Sequence, residues 1–456
     1  MKLKIGLVDS KPTASQQMII FGWYILIAGV VGLWILGSSE LLSVGLSEAL
    51  LSIGRLLGLL ATFFALTQFM LMGRVAWIEQ SFGLDRLANF HRFNGYMAIT
   101  LILLHPVFIV TSYSIASGQN YIEQYISTVR DTPFVWLALI SQILFVLVVG
   151  SSIYIARKRM KFETWYYVHL MVYGAIILVP FHQFVSSPEL AGSVFGMYFW
   201  LALYGFVVLN ILIWRFGLLI FNYFRFEFRV VDVVAETPTT TSVYIKARNV
   251  SRLKIKPGQF VLVRILAPKL FLQEHPFSIS SMPSDDVFRL TIRKVGDYTT
   301  DIVSLKPGAR VVVAGPFGRF TKDVAVTSKR LFVAGGVGIT PIRSMVEEAS
   351  KLGIDSVLLY ALRTPDDAPL KKELDELSKN SNHLKVLYVY SDVPSNYKGI
   401  DGRLDGSMIE GLVPDFKKRD IYICGPPPMM VALVSDLRTR NLSSDQLHYE
   451  LFSLHS

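Results

Sequence analysis

Residues 84–106 read LDRLANFHRFNGYMAITLILLHP, and this stretch decides the fold. Its second half is apolar enough for a lipid bilayer, yet it carries His91 and His105. Ionisable side chains inside a membrane are costly and mark functional positions. On an α-helix the pair is separated by about 21 Å of axial rise and lies within about 40° of one face. A second apolar segment, residues 164–186, carries His169 and His182. An ideal helix leaves those two about 140° apart. Pro180 lies between them and removes a backbone hydrogen bond, so a kink or irregular turn is expected to correct the phase. In antiparallel spans the four histidines make two tiers, His91 with His169 and His105 with His182. Neutral imidazole is a common iron ligand, and two imidazoles fill both axial positions of a haem. The expectation is therefore two haems, an inner one on His91 and His169 and an outer one on His105 and His182. Arg92 and Arg55 fall near the inner and outer faces. For each, pairing with a haem propionate and anchoring at the lipid headgroups both fit.

The rest of the 456-residue chain divides in two. Hydrophobic residues make up 52%, and the mean hydropathy is +0.43. Residues 18–222 are mostly apolar and aromatic, whereas 223–456 read as an ordinary soluble protein. Six apolar segments, at about 18–37, 51–72, 92–113, 133–156, 164–186 and 195–221, approach the ~20 residues a bilayer requires. An even number of spans puts both termini on one side. Arg74, Arg86, Arg157, Lys158, Arg159 and Lys161 crowd one set of loops. The opposite loops hold Glu40, Glu48, Glu123, Asp131 and Glu189, with Arg130 as their base. The positive-inside rule places both termini and the soluble half in the cytoplasm of a multi-pass plasma-membrane protein. These loop bases account for much of the net charge of +10, so no nucleic-acid partner is expected. The single cysteine, Cys424, excludes an intrachain disulfide and suits a reducing compartment. The N-terminus reads as a polar stretch leading into a full-length span, not as a cleavable signal peptide.

From 223 to 326, short alternating segments between turn signals predict a small antiparallel barrel, with strands such as 230–234, 242–246, 260–265, 290–294 and 311–314. It contains His275-Pro276-Phe277-Ser278-Ile279-Ser280, an aromatic face and a hydroxyl on a strand. It also contains Arg293-Lys294-Val295-Gly296-Asp297-Tyr298-Thr299, a cation, a Gly turn and hydroxyls suited to a phosphate. From 327 to 456 the pattern becomes strand, Gly-rich turn, helix, strand: a parallel α/β domain. Leu331–Ala334 leads into Gly335-Gly336-Val337-Gly338-Ile339-Thr340-Pro341 and then a helix over 342–352. Glycines in that position let backbone N–H groups approach a pyrophosphate. Ile421-Tyr422-Ile423-Cys424-Gly425-Pro426 repeats the design.

The 84–106 stretch, with its histidine spacing, resembles the haem-binding helix of the NADPH oxidase/ferric reductase transmembrane flavocytochromes. The soluble motifs resemble the ferredoxin–NADP reductase superfamily, closest to that same branch; together the likeness covers about residues 50–456. The fold implied is a six-helix transmembrane haem-binding bundle over 1–222. After it come an antiparallel β-barrel FAD domain over 223–326 and an α/β parallel-sheet NAD(P)H domain over 327–456. The resemblance implies that Phe277 and Ser278 lie near the flavin ring, with Ser278 near N5, and that His275 and Pro276 of the same motif belong to the cofactor site. Arg293 would pair the flavin pyrophosphate, supported by Gly296 and Thr299, with Tyr298 also in the cofactor site. Gly335, Gly336, Gly338, Thr340 and Pro341 would form the nucleotide loop. Cys424, Gly425 and Pro426 would lie along the nicotinamide, Cys424 beside the hydride-donating carbon. Arg363, after the strand 356–362, would sit near the adenosine ribose. A contact to a 2′-phosphate would favour NADPH over NADH, although a plain surface arginine fits as well. Phe452, in His448-Tyr449-Glu450-Leu451-Phe452, would stack on the flavin, or else belong to a final strand. The four residues after it separate this chain from relatives that end at the aromatic.

The function expected is transmembrane electron transfer from cytosolic NAD(P)H, through FAD and two b-type haems, to an external acceptor. Oxygen giving superoxide comes first, with Arg55 placed to attract a small anion. A ferric chelate and a reduced protein partner are the alternatives; a haem scaffold without enzymatic activity is the remaining class. No calcium-binding loop or SH3-type ligand is seen, so no obligatory cytosolic activator is expected.

Overall fold

The computed structural model describes residues 12–153, 159–160, 162–267, 270–271, 273–394 and 396–450, with only the backbone of 162, 163 and 303. Arg157, Lys158, Lys161 and Phe452 lie outside the described residues. The chain forms two compact units, Thr13–Phe216 and the part from Gly217 onward.

Among the described residues, six helical segments are long and apolar enough to cross a membrane: Ala14–Ser43, Leu46–Met72, Leu84–Ser117, Val135–Ser152, Thr164–Ser186 and Val194–Phe226. Helix α1 (Ala14–Ser38) opens on a capping box between Thr13 and Gln16, which satisfies two donors that a helix start leaves orphaned. Helix α2 (Leu46–Met72) runs against α4 (Leu84–Ser117), with α3 (Ala76–Phe82) between them in sequence. Helix α6 (Val135–Ser152) packs on α7 (Phe162–Ser186). Phe63, Leu66, Val30, Trp200 and Leu190 are buried where these helices meet.

The structure departs from the sequence expectation in three places. Helix α4 starts eight residues before the expected segment, because Leu84 and Leu87 are buried in the bundle although Asp85 and Arg86 interrupt the apolar run. Tyr121–Asp131, expected as a loop, is an amphipathic helix, α5, too short and too polar to register as an apolar segment. Glu189, expected as an acidic loop residue, is 2% exposed. It lies in the short helix α8 (Pro188–Ala191) and accepts hydrogen bonds from Ser38 Oγ and, at 2.7 Å, Ser187 Oγ. Helix α9 (Val194–Asn210) passes through a π-helical stretch, Ile211–Gly217, into α10 (Leu218–Phe226).

In the second unit, strands β1 (Arg229–Thr237), β2 (Thr240–Lys246), β3 (Phe260–Ile265), β4 (His275–Ser278), β5 (Val287–Arg293) and β6 (Val311–Phe317) form two three-stranded antiparallel sheets, ordered β1-β2-β5 and β4-β3-β6. Alternate inward residues, among them Val243, Ile245, Phe288, Leu290 and Val313, build one core. Pro276 sits on the edge strand β4, where a missing N–H costs no ladder bond. After the short helix α11 (Asp297–Asp301) comes an all-parallel sheet. Its strands β7 (Lys329–Gly335), β8 (Ser356–Leu362), β9 (Leu384–Tyr390), β10 (Ile400–Asp401), β11 (Arg419–Cys424) and β12 (Leu447–Tyr449) are ordered β10-β9-β8-β7-β11-β12. The central strands are buried on both faces, as βα crossovers require. Helix α12 (Ile339–Lys351) follows β7, and α13 (Lys371–Lys379) follows β8.

An ion-pair brace ties the barrel to the parallel domain. Arg289 on β5, with its side chain 3% exposed, pairs with Glu373 of α13, which also accepts from Arg343 of α12 at 2.9 Å. Arg289 donates in addition to Ser280 O (3.0 Å) and Ser280 Oγ (3.1 Å). Burial pushes the Glu373 carboxyl up, but its bonds and charge contacts with Arg289 and Arg343 outweigh that and hold it below the ordinary value of 4.5. A carboxyl depressed in the folded state adds stability above its unfolded pKa, and that stability is lost as pH falls through the folded pKa. We expect Glu373→Gln to lower stability at pH 7 by about 2–3 kcal/mol, since it strands the buried Arg289 charge. The gap between variant and wild type should hold above the ordinary carboxyl value of 4.5 and narrow as pH falls from there through the lower folded pKa. Urea unfolding at a series of pH values reads this; a gap independent of pH would refute it.

Candidate functional site

The histidine tiers come from α4 and α7. The rings of His91 and His169 face each other with centroids 6.1 Å apart and planes at 57°. Two imidazoles on opposite sides of one metal, with bonds of about 2 Å and ring radii of about 1 Å, would have centroids about 6 Å apart. The tautomer of His169 follows from its neighbours. Ser152 Oγ donates to Val148 O at 2.7 Å, so its own lone pairs receive Trp165 Nε1–H (3.1 Å) and His169 Nδ1–H (3.2 Å). That leaves the lone pair of His169 on Nε2, free to take a ligand bond. His105 reaches the same state by another route. Its Nδ1 lies 2.7 Å from Gly54 O, which only accepts, so Nδ1 carries the proton and Nε2 the lone pair. A side chain at Gly58 would place Cβ 2.7 Å from His105 Nδ1, so the ring lies flat against a glycine on α2. The Nδ1 atoms of His91 and His182 are buried and make no hydrogen bond of ordinary geometry among the described residues, with the backbone of Gln68 beside the one ring and of Val179 beside the other. Pro180 lies inside α7, between its two histidines, and the helix continues through it to Ser186. Paired rings, fixed tautomers and apolar surroundings fit haem iron as ligands.

The two arginines near the tiers differ. Arg92 is exposed and donates to Asn89 Oδ1 at 2.8 Å, one turn away. Arg55 is half-buried, and its Nη1 donates to Ser38 Oγ at 3.0 Å, the hydroxyl that donates to Glu189. Its positive charge is therefore linked to a buried carboxylate through one hydroxyl. Ser38, Ser152, Trp165 and Gly54 were not singled out from the sequence, and Glu189 only as a loop charge. Trp165 stands four residues before His169, on the same helix face, which is a legible signal; the others become visible only in three dimensions.

On the barrel, His275, Phe277 and Tyr298 gather into one aromatic group. His275 and Tyr298 centroids are 4.0 Å apart, and Phe277 stacks on Tyr298 at 6.4 Å and 14°. Tyr298 OH donates to Val263 O at 3.3 Å, which ties α11 to β3. Ser278 ends β4 at 7% exposure. Thr299 Oγ1 accepts from the N–H groups of Val295 (2.9 Å) and Gly296 (3.0 Å), so this hydroxyl organises its own turn. Arg293 ends β5 exposed, and no carboxylate pairs with it among the described residues. Its Nη1 is 3.8 Å from where a Cβ on Gly336 would lie, so it reaches the glycine loop of the next domain.

That loop and the one after β11 interlock. A Cβ on Gly338 would lie 2.2 Å from Cys424 O and 2.7 Å from Gly425 N, and one on Gly425 would lie 3.0 Å from Gly335 Cα. Only glycine backbones approach this closely. Gly336 adopts φ +51° and accepts from Tyr360 OH at 3.2 Å. Thr340 Oγ1 donates back to Val337 O at 3.0 Å, and Pro341 lies buried in the first turn of α12. Cys424 is 1% exposed within the domain core, with Pro426 just before helix α15 (Pro427–Thr439). Helix α14 (Gly406–Leu412) lies on the far side of the sheet's sequence, between β10 and β11. The carboxyl ends of four adjacent strands thus carry Asp392, Arg363, Gly335–Gly338 and Cys424–Pro426 in a row, where open α/β sheets bind ligands. Strand β12 is tied in by Asp420, which is wholly buried and accepts from His448 Nε2 (2.8 Å) and Thr327 N (2.6 Å).

Three families match this chain in tandem. The one described as ferric reductase like transmembrane component covers residues 57–180, FAD-binding domain covers 225–320, and oxidoreductase NAD-binding domain covers 332–435. Among curated relatives, the flavohemoprotein of Oceanobacillus iheyensis is 28% identical over 239 residues, which is 50% of this chain and 58% of that protein. The glycine betaine monooxygenase reductase subunit of Pseudomonas aeruginosa is 30% identical over 236 residues, 49% of this chain and 63% of that protein. The match thus spans less than two thirds of either relative's length. Among solved structures, the ferredoxin reductase in carbazole 1,9a-dioxygenase is 26% identical with a TM-score of 0.44, covering 50% of this chain and 69% of that one. With a ferric reductase-like transmembrane component followed by FAD-binding and NAD-binding domains, the chain is an oxidoreductase with the domain architecture of the NADPH oxidase/ferric reductase family.

Proposed function

We propose that the chain moves electrons from NAD(P)H, through FAD and two b-type haems, across the plasma membrane to an external small-molecule acceptor, foremost oxygen, giving superoxide. The observation that carries the reading is the meeting of His91 and His169 at 6.1 Å from two different membrane helices. When bound, FAD takes a hydride from the nicotinamide and parts with single electrons, and the haems carry single electrons between membrane levels. The chain's own residues do the rest. His91 and His169 would hold one iron and His105 and His182 the other. Ser152 and the Gly54 carbonyl keep Nε2 of His169 and His105 unprotonated for ligation. His275, Phe277 and Tyr298 present a flat aromatic face to the flavin, Ser278 a hydroxyl near N5, and Arg293 a cation for the pyrophosphate, with Gly296 and Thr299 shaping the turn beside it. The Gly335–Gly338 loop, closed by Thr340 and Pro341, offers backbone N–H groups at the start of α12 to the nicotinamide nucleotide. Cys424, Gly425 and Pro426 line its reactive end. Loop charges favour the cytoplasm for both termini and the soluble domains. No cytosolic activator enters this scheme.

The experiment is reduction of cytochrome c by the purified protein with FAD and NADPH, with and without superoxide dismutase. A dismutase-sensitive rate supports oxygen as acceptor. No such rate, while the haem bands still become reduced, moves the acceptor to a ferric chelate. The ferric reductase-like match over 57–180 makes that the second reading. Ferric citrate with a ferrous-specific chelator then reads it directly.

A further inference from the structure

We propose that Asp392 sets the nicotinamide-nucleotide preference of this protein by holding and neutralising Arg363, so that the adenosine end of the site takes NADH about as readily as NADPH. The inference rests on reading the carboxyl edge of the parallel sheet as the NAD(P)H site. Arg363 follows β8 and Asp392 follows β9, its parallel neighbour. The ladder continues past both strands, with Ser391 N donating to Leu362 O at 3.0 Å and Asp392 N to Arg363 O at 2.9 Å. Backbone bonds therefore hold the two positions side by side. Their side chains are 78% and 59% exposed and meet through Arg363 Nε and Asp392 Oδ2 at 3.0 Å.

The chemistry of the two groups is opposed. An arginine beside the adenosine ribose accommodates a 2′-phosphate, and an acidic residue accepts from the 2′-hydroxyl. Here both stand at one place. Arg363 is engaged through Nε, so its terminal nitrogens stay available to phosphate oxygens. A 2′-phosphate taken up there also meets the Asp392 carboxylate, a like charge a few ångströms away. A 2′-hydroxyl instead donates to that carboxylate and leaves the pair intact. Exposed ion pairs are weakly held, so neither nucleotide is excluded. An unpaired Arg363 would favour NADPH; the pairing removes most of that preference.

The test is calorimetric titration of the purified full-length protein with NADP+, NAD+, 2′-phospho-AMP and AMP. For wild type, the dissociation constants of NADP+ and NAD+ should lie within about tenfold. Asp392→Asn should tighten NADP+ and 2′-phospho-AMP by about tenfold and leave NAD+ and AMP unchanged or weaker. Arg363→Gln should weaken the 2′-phosphorylated ligands alone. Asp392→Ser guards against an effect particular to asparagine. A wild-type preference above a hundredfold for either nucleotide overturns the inference. So does an Asp392→Asn protein whose NADP+/NAD+ ratio stays within twofold of wild type. Failure of wild type to bind any of the four ligands is a different result: it sinks the reading of the sheet edge as a nucleotide site, and this inference with it.

Discussion

If His105 and His182 hold the second of two haems, His105→Ala should leave one haem per chain in place of two and stop transmembrane electron transfer. Alanine removes Nε2, the nitrogen that the Gly54 carbonyl leaves unprotonated. No other histidine is placed to replace it, since the remaining three in the bundle are already assigned. The ring also fills the space against Gly58, so its loss opens a cavity whose cost is about 2–4 kcal/mol. A collapse of the bundle is a competing cause of haem loss, and the inner tier separates the two. If only the ligand is lost, the His91–His169 haem persists, and the reduced-minus-oxidised spectrum keeps a b-type band of half amplitude. The pyridine haemochrome assay per mole of protein gives the number. Two haems remaining would show that His105 is not an axial ligand. None remaining, in a protein that no longer unfolds cooperatively, would show a structural residue instead.

Gly338→Ala should have an effect of similar size in the soluble half. The new methyl would fall 2.2 Å from the Cys424 carbonyl oxygen and 2.7 Å from Gly425 N. Both are backbone atoms at the end of the buried strand β11, so no side chain can swing aside. Overpacking of this kind costs about 1–3 kcal/mol, and the relief available is to part the two loops. Parted loops no longer present one surface to a nucleotide, so NADP+ affinity should fall by at least tenfold, about 1.4 kcal/mol. Gly411→Ala is the matched control. It lies in a helix of the same unit with nothing within 4 Å of the added carbon, and should leave affinity unchanged. Equal NADP+ affinity for Gly338→Ala and wild type would show that the interlocking of the loops has no part in binding.

Both experiments act on residues that the sequence singled out, but for reasons it did not contain. The fourteen-residue step from His91 to His105 suffices to place both on one helix face, because helical periodicity is a local property. The same arithmetic leaves His169 and His182 out of phase. That His169 nevertheless faces His91 follows from how α7 packs against α6 and how Ser152 and Trp165 turn the ring. Glycines between a strand and a helix were legible as a nucleotide loop. Why Gly338 and Gly425 must both be glycine was not, since their contact joins segments more than eighty residues apart.

The amphipathic helix α5 and the burial of Glu189 mark a second limit. A window of apolar residues finds segments surrounded by lipid, but not those that are half polar or that bury a carboxylate against a partner hydroxyl. By itself, then, the sequence determined the apolar spans, the order of bundle, barrel and parallel sheet, and which residue types could bear the chemistry. Hydropathy, periodicity and turn preference act between neighbours in the chain. Only the tertiary structure decided the imidazole tautomers, the contact of Arg293 with the glycine loop, the Arg289–Glu373 brace and the capture of Arg363 by Asp392. Each of these is a hydrogen bond or contact between distant segments, and its energy depends on ångström distances that no local pattern encodes.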